Sequence, residues 1–369
     1  RTLGAFVPVM KETGFLLFLV CLAMVFPGRA GELPADPPPA LESPGLSFGG
    51  GFSGDLIHES HTGSWLSNAE ASVWAEADLG TLIGADDFYV RASPSLVWGA
   101  EESWDWNLRL YQTWLSWDGN DHFNALAGKI DPGWFFHSMP SAGTFVRMPS
   151  RATGEFSPGA LGLLDLYPIS APALRMEWKP TAHLYAQAAT WLLERDTEIR
   201  GRALVKYADG WDRTLTLAEA GWRDEGTEDE GWRHRFAGLG GWWIPAGGGS
   251  WGLYAFADAK LWSESTQTWQ GLSGFSSIST AQAVGYQREH RIAAGLSYQG
   301  LLPGRDEDTS SLAVIVEPGS EPVTGWDRHA WEVLHQWRIN DHWWVQGALQ
   351  RQEGQFHDWR LGLRLGCDF

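Results

Sequence analysis

The stretch "ALRMEWKPTAHLYAQAATW", residues 173–191, reads as two strands joined by a tight turn. In its first half Leu174, Met176 and Trp178 alternate with Arg175, Glu177 and Lys179. Successive side chains of a strand point to opposite faces, so one face is greasy and the other is charged. "KPTAH" (179–183) then leaves room only for a short reversal. The returning strand sends Tyr185 and Gln187 to the polar side. Such a hairpin fits two architectures. A soluble sandwich packs its greasy faces together, whereas a membrane barrel turns grease to lipid and charge to a wet lumen.

The same alternation recurs along the chain. Runs of this kind, punctuated by Gly, Pro, Asn and Asp, predict strands at 46–58, 70–79, 86–98, 104–117, 121–130, 173–180, 183–193, 200–208, 213–222, 232–243, 250–263, 287–299, 309–317, 329–339, 342–353 and 358–369. Short links at 117–121, 179–183, 209–213, 244–250 and 338–342 are read as periplasmic turns. With both termini on that side, short and long links must alternate. That parity requires 200–208 to be a strand and 264–286 to be a long link, which gives an even number, sixteen. The longest connection, 131–172, then lies on the outer side after the fifth strand.

The composition favours the membrane reading. The 369 residues include 24 Trp and 44 Gly, more than helical proteins need, and the Trp residues gather at strand ends, as in an aromatic girdle. No run of 18 apolar residues offers a membrane helix. The formal charge of −18 argues against nucleic acid as a partner. "KETGFLLFLVCLAMVFPGRAGE" (11–32) has a basic start, an apolar run from Phe15 to Phe26 and a small-x-small site. It predicts a signal peptide over 1–30, followed by a Pro-rich periplasmic segment at 31–45 and a barrel over 46–369. With Cys21 in the leader, only Cys367 remains, and no intramolecular disulfide is expected.

Catalytic signals are sparse. "HESH" (58–61) lacks the helix and spacing of a zinc protease, and "DEGTEDE" (224–230) departs from the EF-hand pattern, so both read as solvated loops. No GxSxG elbow or phosphate loop occurs, and neither an enzyme nor a cofactor is expected. The polar faces say more. Trp74, Tyr89, Tyr185, Tyr254, Phe256 and Trp262 should point inward beside Glu76, Asp78, Arg91, Arg175, Glu177, Gln187, Asp258, Lys260, Glu332, Gln336, Arg338, Arg360 and Arg364. Sugars offer apolar C–H faces for rings and hydroxyls for Arg, Glu, Asp and Gln. Mixed charge leaves little net field, which suits neutral polyols better than ions. For any single residue, bracing of the wall is the simpler role.

"LYPISAPALRMEWKPTAHLYAQAATW" (166–191) resembles the OprB family of carbohydrate-selective porins, and "ALAGKIDPGWFF" (125–136), "LTLAEAGW" (215–222) and the closing "WRLGLRLGCDF" (359–369) fit the same family. The resemblance implies a transmembrane antiparallel up-and-down β-barrel of sixteen strands that passes mono- or small oligosaccharides by facilitated diffusion. It implies that the third loop, 131–172, folds inward and narrows the pore, with Arg147, Arg151, Arg175 and Glu177 as constriction residues. It also implies an outer-membrane setting in lipid and lipopolysaccharide, insertion guided by Phe369, and a homotrimer by analogy. A general porin and a non-transporting glycan-binding or adhesin barrel are the alternatives.

Overall fold

The computed structural model describes residues 45–60, 63, 65–85, 87–99, 106–143, 145, 170–193, 213–224, 234–245, 249–264, 270–282, 289–317, 328–353 and 358–368. The leader, the Pro-rich segment, Arg147, Arg151 and Phe369 lie outside them, as does the expected strand at 200–208.

Sixteen antiparallel strands close into a barrel. They are β1 (Leu46–Glu59), β2 (Trp65–Asp78), β3 (Phe88–Gly99), β4 (Trp106–Asn120), β5 (Phe123–Ile130), β6 (Ala171–Trp178), β7 (Leu184–Leu193) and β8 (Arg213–Asp224). Then follow β9 (Arg235–Ile244), β10 (Ser250–Ser263), β11 (Gly271–Gln282), β12 (Glu289–Gln299), β13 (Thr309–Glu317), β14 (Arg328–Arg338), β15 (Trp343–Glu353) and β16 (Asp358–Asp368). Every strand pairs with its neighbours in sequence, and β1 closes on β16 from Gly51↔Asp368 to Glu59↔Arg360. Closure removes the free edges that an open sheet would expose to lipid. One short helix, α1 (Leu79–Ile83), caps the β2–β3 link; the Asp78 side chain accepts from Gly80 N–H, and Gly84 ends the helix in a left-handed conformation at φ 73°.

The two faces sort as the alternation demands. Leu239, Leu253, Ile278, Leu312, Val333 and Leu361 are exposed on the outer face. Trp117, Trp178 and Trp337 stand outside near the end where the chain enters and leaves the barrel, and Trp243 and Trp359 stand outside toward the opposite end. These are two aromatic belts around an apolar band, the surface of a transmembrane barrel.

Four expectations are corrected. The segment 264–286 is not a loop: it contains β11, "GLSGFSSISTAQ", paired along its length with β10 and β12. The wall closes without a strand at 200–208, because β7 pairs directly with β8 from Leu184↔Trp222 to Leu193↔Arg213. The count of sixteen therefore survives with a different membership. The link 245–249 joins β9 to β10 at the same end as the third loop, so a short link does not mark the terminal end. Trp262 is the fourth. A bulge between Lys260 and Trp262 shifts the register, so Trp262 pairs with outward-facing Leu272 and is exposed. It packs against Tyr298, at 6.1 Å between ring centroids, and belongs to the outer belt.

The β12–β13 link is tied down by Asp308, which is buried. Arg305 donates to it from Nε at 2.7 Å and from a terminal nitrogen at 2.8 Å, and the Arg338 amide donates at 2.9 Å. Burial by itself would raise this carboxyl; the Arg305 and Arg338 bonds outweigh it and hold Asp308 below the usual carboxylate range. A depressed carboxylate stabilises the fold above its unfolded value, ~3.9, and that contribution is lost only as pH falls through the lower folded value. Asp308→Asn should therefore lower stability at pH 7 and flatten its decline between about pH 4 and pH 2, read as the unfolding midpoint against pH. An unchanged acid limb would show that this carboxylate is not coupled to folding.

Candidate permeation path

The barrel interior has an apolar side. Phe136, Met139, Ala142 and Phe145 of the third loop are buried against inward residues of the wall, among them Trp191, Leu215, Leu217, Trp242, Ile244, Phe275 and Ile315. The loop enters through a 3₁₀ turn at Pro132–Trp134, capped by Asp131, and makes a second at Pro140–Ala142. Phe136 meets Trp191 edge-on at 5.7 Å, and Phe145 meets Phe275 likewise at 5.7 Å. So the loop folds inward, as expected of 131–172, over the part that is described, and the strands facing it carry leucine and tryptophan where a water-filled pore would carry charge.

Two wall carboxylates hold the loop by its backbone. Glu219 accepts four hydrogen bonds: from Tyr185 Oη at 2.9 Å, Gln187 Nε2 at 2.8 Å, Tyr254 Oη at 2.7 Å and the His137 amide at 2.6 Å. Asp258 accepts from the Ser141 amide at 2.8 Å and from Ser141 Oγ at 2.6 Å, and it meets His234 Nε2 at 2.8 Å. Ser141, His234 and Asp258 resemble a hydrolase triad in composition only. Both Ser141 and Asp258 approach the same ring nitrogen, and the hydroxyl donates to the carboxylate, so no relay through the two imidazole nitrogens is set up.

Local sequence explains the first carboxylate. Tyr254 and Phe256 lie flat against β9, where the inward positions are Gly238 and Gly240. A Cβ at Gly240 would sit 2.5 Å from the Tyr254 ring, and one at Gly238 would sit 2.6 Å from Phe256. The glycines give the rings a bed and let the tyrosine hydroxyl reach Glu219.

Beside this latch lies an ionic cluster on β5–β8. Glu177 accepts from Asn124 Nδ2 at 2.8 Å and lies 3.3 Å from Arg175, 3.6 Å from Lys179 and 3.8 Å from Arg223. Arg175 Nε donates to Gln187 at 2.9 Å, and its guanidinium lies 4.7 Å from the Phe135 ring. Arg175 and Glu177 are 6% and 3% exposed, so they brace the wall behind the loop and do not face open lumen.

The other expected residues divide. Phe256 and fully buried Glu332 lie within the packed side, and Lys260 is half-buried on the inner face. Arg338 sits at the terminal end, its guanidinium donating to the Asp341 carbonyl. Arg360 is half-buried on the inner face of β16, and Arg364 pairs with Asp55 across the β1–β16 seam. A second ionic group lies on the inner face of β2 and β3. Arg91 lies 3.6 Å from Glu76, 4.5 Å from the Trp74 ring and 5.3 Å from the ring of Trp134, which is 53% exposed at the start of the loop. Arg91, Glu76 and Trp74 were expected to face inward, but Trp134 was not singled out, nor was Glu219.

A closed sixteen-strand antiparallel barrel with a long third loop folded into its lumen is the architecture of a porin. Residues 63–244 match the family model of the carbohydrate-selective porins, OprB family. The high-pH structure of Pseudomonas putida OprB matches with a TM-score of 0.73 at 15% identity, covering 88% of this chain and 94% of that one. An anion-selective porin from Comamonas acidovorans matches with a TM-score of 0.58 at 11% identity, covering 89% and 100%. The trimer form of Vibrio cholerae OmpT matches with a TM-score of 0.54 at 10% identity, again covering 89% and 100%. At such identities the likeness is one of fold. No curated relative matches the sequence.

Proposed function

We propose that this porin passes small neutral sugars across the outer membrane by facilitated diffusion, along the side of the lumen that the loop core leaves open. The observation that carries this is the stack of Trp74, Arg91 and Trp134 beside Glu76. An exposed indole offers a flat apolar face to a pyranose ring, and the guanidinium and carboxylate at its edge supply donors and acceptors for hydroxyls. The charges are balanced locally: Arg91 by Glu76, and Arg364 by Asp55. A path whose charges are paired has little net field and favours uncharged solutes. In this reading the leader 1–30 exports the chain, 31–45 lies in the periplasm, lipid and lipopolysaccharide surround the apolar band, and Phe369 addresses the insertion machinery. A homotrimer is the assembly we expect by analogy.

Liposomes containing the protein should swell quickly in isotonic glucose and much more slowly in larger oligosaccharides. Trp134→Ala should cut the glucose rate roughly two- to twelvefold, as loss of ~0.5–1.5 kcal/mol of ring contact predicts. Arg91→Ala should cut it as well. Equal swelling in all small solutes, unchanged in both variants, would leave a general porin. Glycan binding without any flux would point to a non-transporting barrel.

A further inference from the structure

We propose that Glu219 and Asp258 are positioning residues that set the size limit of the path by latching the third loop to the wall; this rests on the reading of that path as the solute route. The two carboxylates project inward from β8 and β10 and are almost wholly buried, at 4% and 1% exposure. Each accepts a main-chain amide of the loop, from His137 and Ser141 respectively. They thus grip the backbone at two points four residues apart, independently of the side chains the loop offers to solute.

Three features mark a latch and not incidental contact. The first is preorganisation. Tyr185, Gln187 and Tyr254 donate to Glu219 from the wall itself, so the carboxylate is oriented before the loop arrives, and the His137 amide completes the set. The second is the backbone at His137, which is held at φ 54° in the left-handed region that non-glycine residues avoid. Such a conformation persists only where its surroundings impose it. Here the imidazole is wedged between Tyr254 and Phe256, each 4.9 Å away, while its amide points at Glu219. The third is position. His137 lies two residues after Phe135, and Trp134 and Phe135 touch Arg91 and Arg175 respectively. Moving the latch moves the exposed indole of Trp134 relative to Arg91, and so the width of the open side.

The carboxylates are also costly to leave unmatched. A buried carboxylate without its donors is strongly disfavoured. A displaced loop withdraws the His137 amide from Glu219 and the Ser141 amide and hydroxyl from Asp258 at once, and this makes its seat discrete.

The test uses the full-length porin in liposomes and in planar bilayers. Four variants are compared with wild type: Glu219→Ala, Glu219→Gln, Asp258→Ala and Tyr254→Phe. Slow, heat-modifiable gel migration reports whether each barrel is closed. In Glu219→Ala and Asp258→Ala the ratio of raffinose to glucose swelling should rise about tenfold, equivalent to ~1.4 kcal/mol of lost latch. Single-channel conductance in potassium chloride should rise and become noisier. Tyr254→Phe, which removes one orienting donor and keeps both loop contacts, should shift the ratio in the same direction by less. Glu219→Gln should fall between wild type and Glu219→Ala, because an amide oxygen can still accept. If closed barrels of Glu219→Ala and Tyr254→Phe keep the wild-type ratio and the wild-type conductance, the latch is refuted. Should Glu219→Ala fail to close, Tyr254→Phe and Glu219→Gln decide by the same readouts. Absence of sugar swelling in wild type would overturn the proposed function instead, and the conductance arm would still judge the latch.

Discussion

Replacing Trp191 with alanine should cost about 3–5 kcal/mol of barrel stability, the range for removing a large buried aromatic from a packed interior. Trp191 has no exposed surface, donates from Nε1 to the Ile130 carbonyl at 3.0 Å and meets Phe136 edge-on. It joins the wall to the entrance and to the first apolar anchor of the third loop. Truncation leaves a cavity that flanking strands, fixed by their ladders, cannot collapse to fill. The measurement is the guanidinium unfolding midpoint in detergent or lipid, with Trp178→Ala as the comparison. Trp178 is 55% exposed on the outer face, where lipid can follow the changed surface, so its truncation should cost much less. A Trp191→Ala cost below about 1 kcal/mol would mean that the apolar contacts inside the barrel do not hold the loop.

That inner core also decides what could be read from the sequence. Where the inner face is charged and the outer face greasy, as in β6 with Arg175 and Glu177 against Leu174, Met176 and Trp178, alternation assigns both faces correctly. The contrast fades where the wall meets the loop. In β11 the inward residues are Ser273, Phe275, Ser277, Ser279 and Ala281, and the outward ones include Gly274, Ser276 and Thr280. Both faces mix small polar and apolar groups, so period two leaves no signal, and the strand was taken for a loop. The missing strand then had to be supplied elsewhere, at 200–208, to preserve parity. Bulges are equally silent: one extra residue after Lys260 carried Trp262 from the lumen to the lipid side. Glu219 shares its face with Leu215 and Leu217, a single acid in an apolar row. Its meaning lies in His137, 82 residues away, and only the folded barrel brings the two together.

The strand that closes the barrel supplies the sharpest test of which side is wet. Leu363 and Arg364 are neighbours on β16, the first 45% exposed and the second 8%. Leu363→Arg should cost about 2–4 kcal/mol, the penalty for a cation near the midplane of the lipid face. Arg364→Leu should cost about 3–5 kcal/mol for the opposite reason: it strands a largely buried carboxylate, 10% exposed in its side chain. Arg364 makes two bonds to Asp55, one of them at 2.9 Å, and the pair straddles the seam where the first strand meets the last. Loss of the guanidinium leaves Asp55 facing its partner strand without a counter-charge. Asp55→Asn in the Arg364→Leu background should recover a large part of that loss, since no charge is then left unmatched. No such rescue is available to Leu363→Arg, whose penalty comes from lipid and not from a missing partner. A tolerant Leu363→Arg together with an intolerant Arg364→Leu would mean that the greasy face of β16 meets water; the reverse order of costs, with no rescue by Asp55→Asn, would mean that the Asp55–Arg364 pair does not hold the seam.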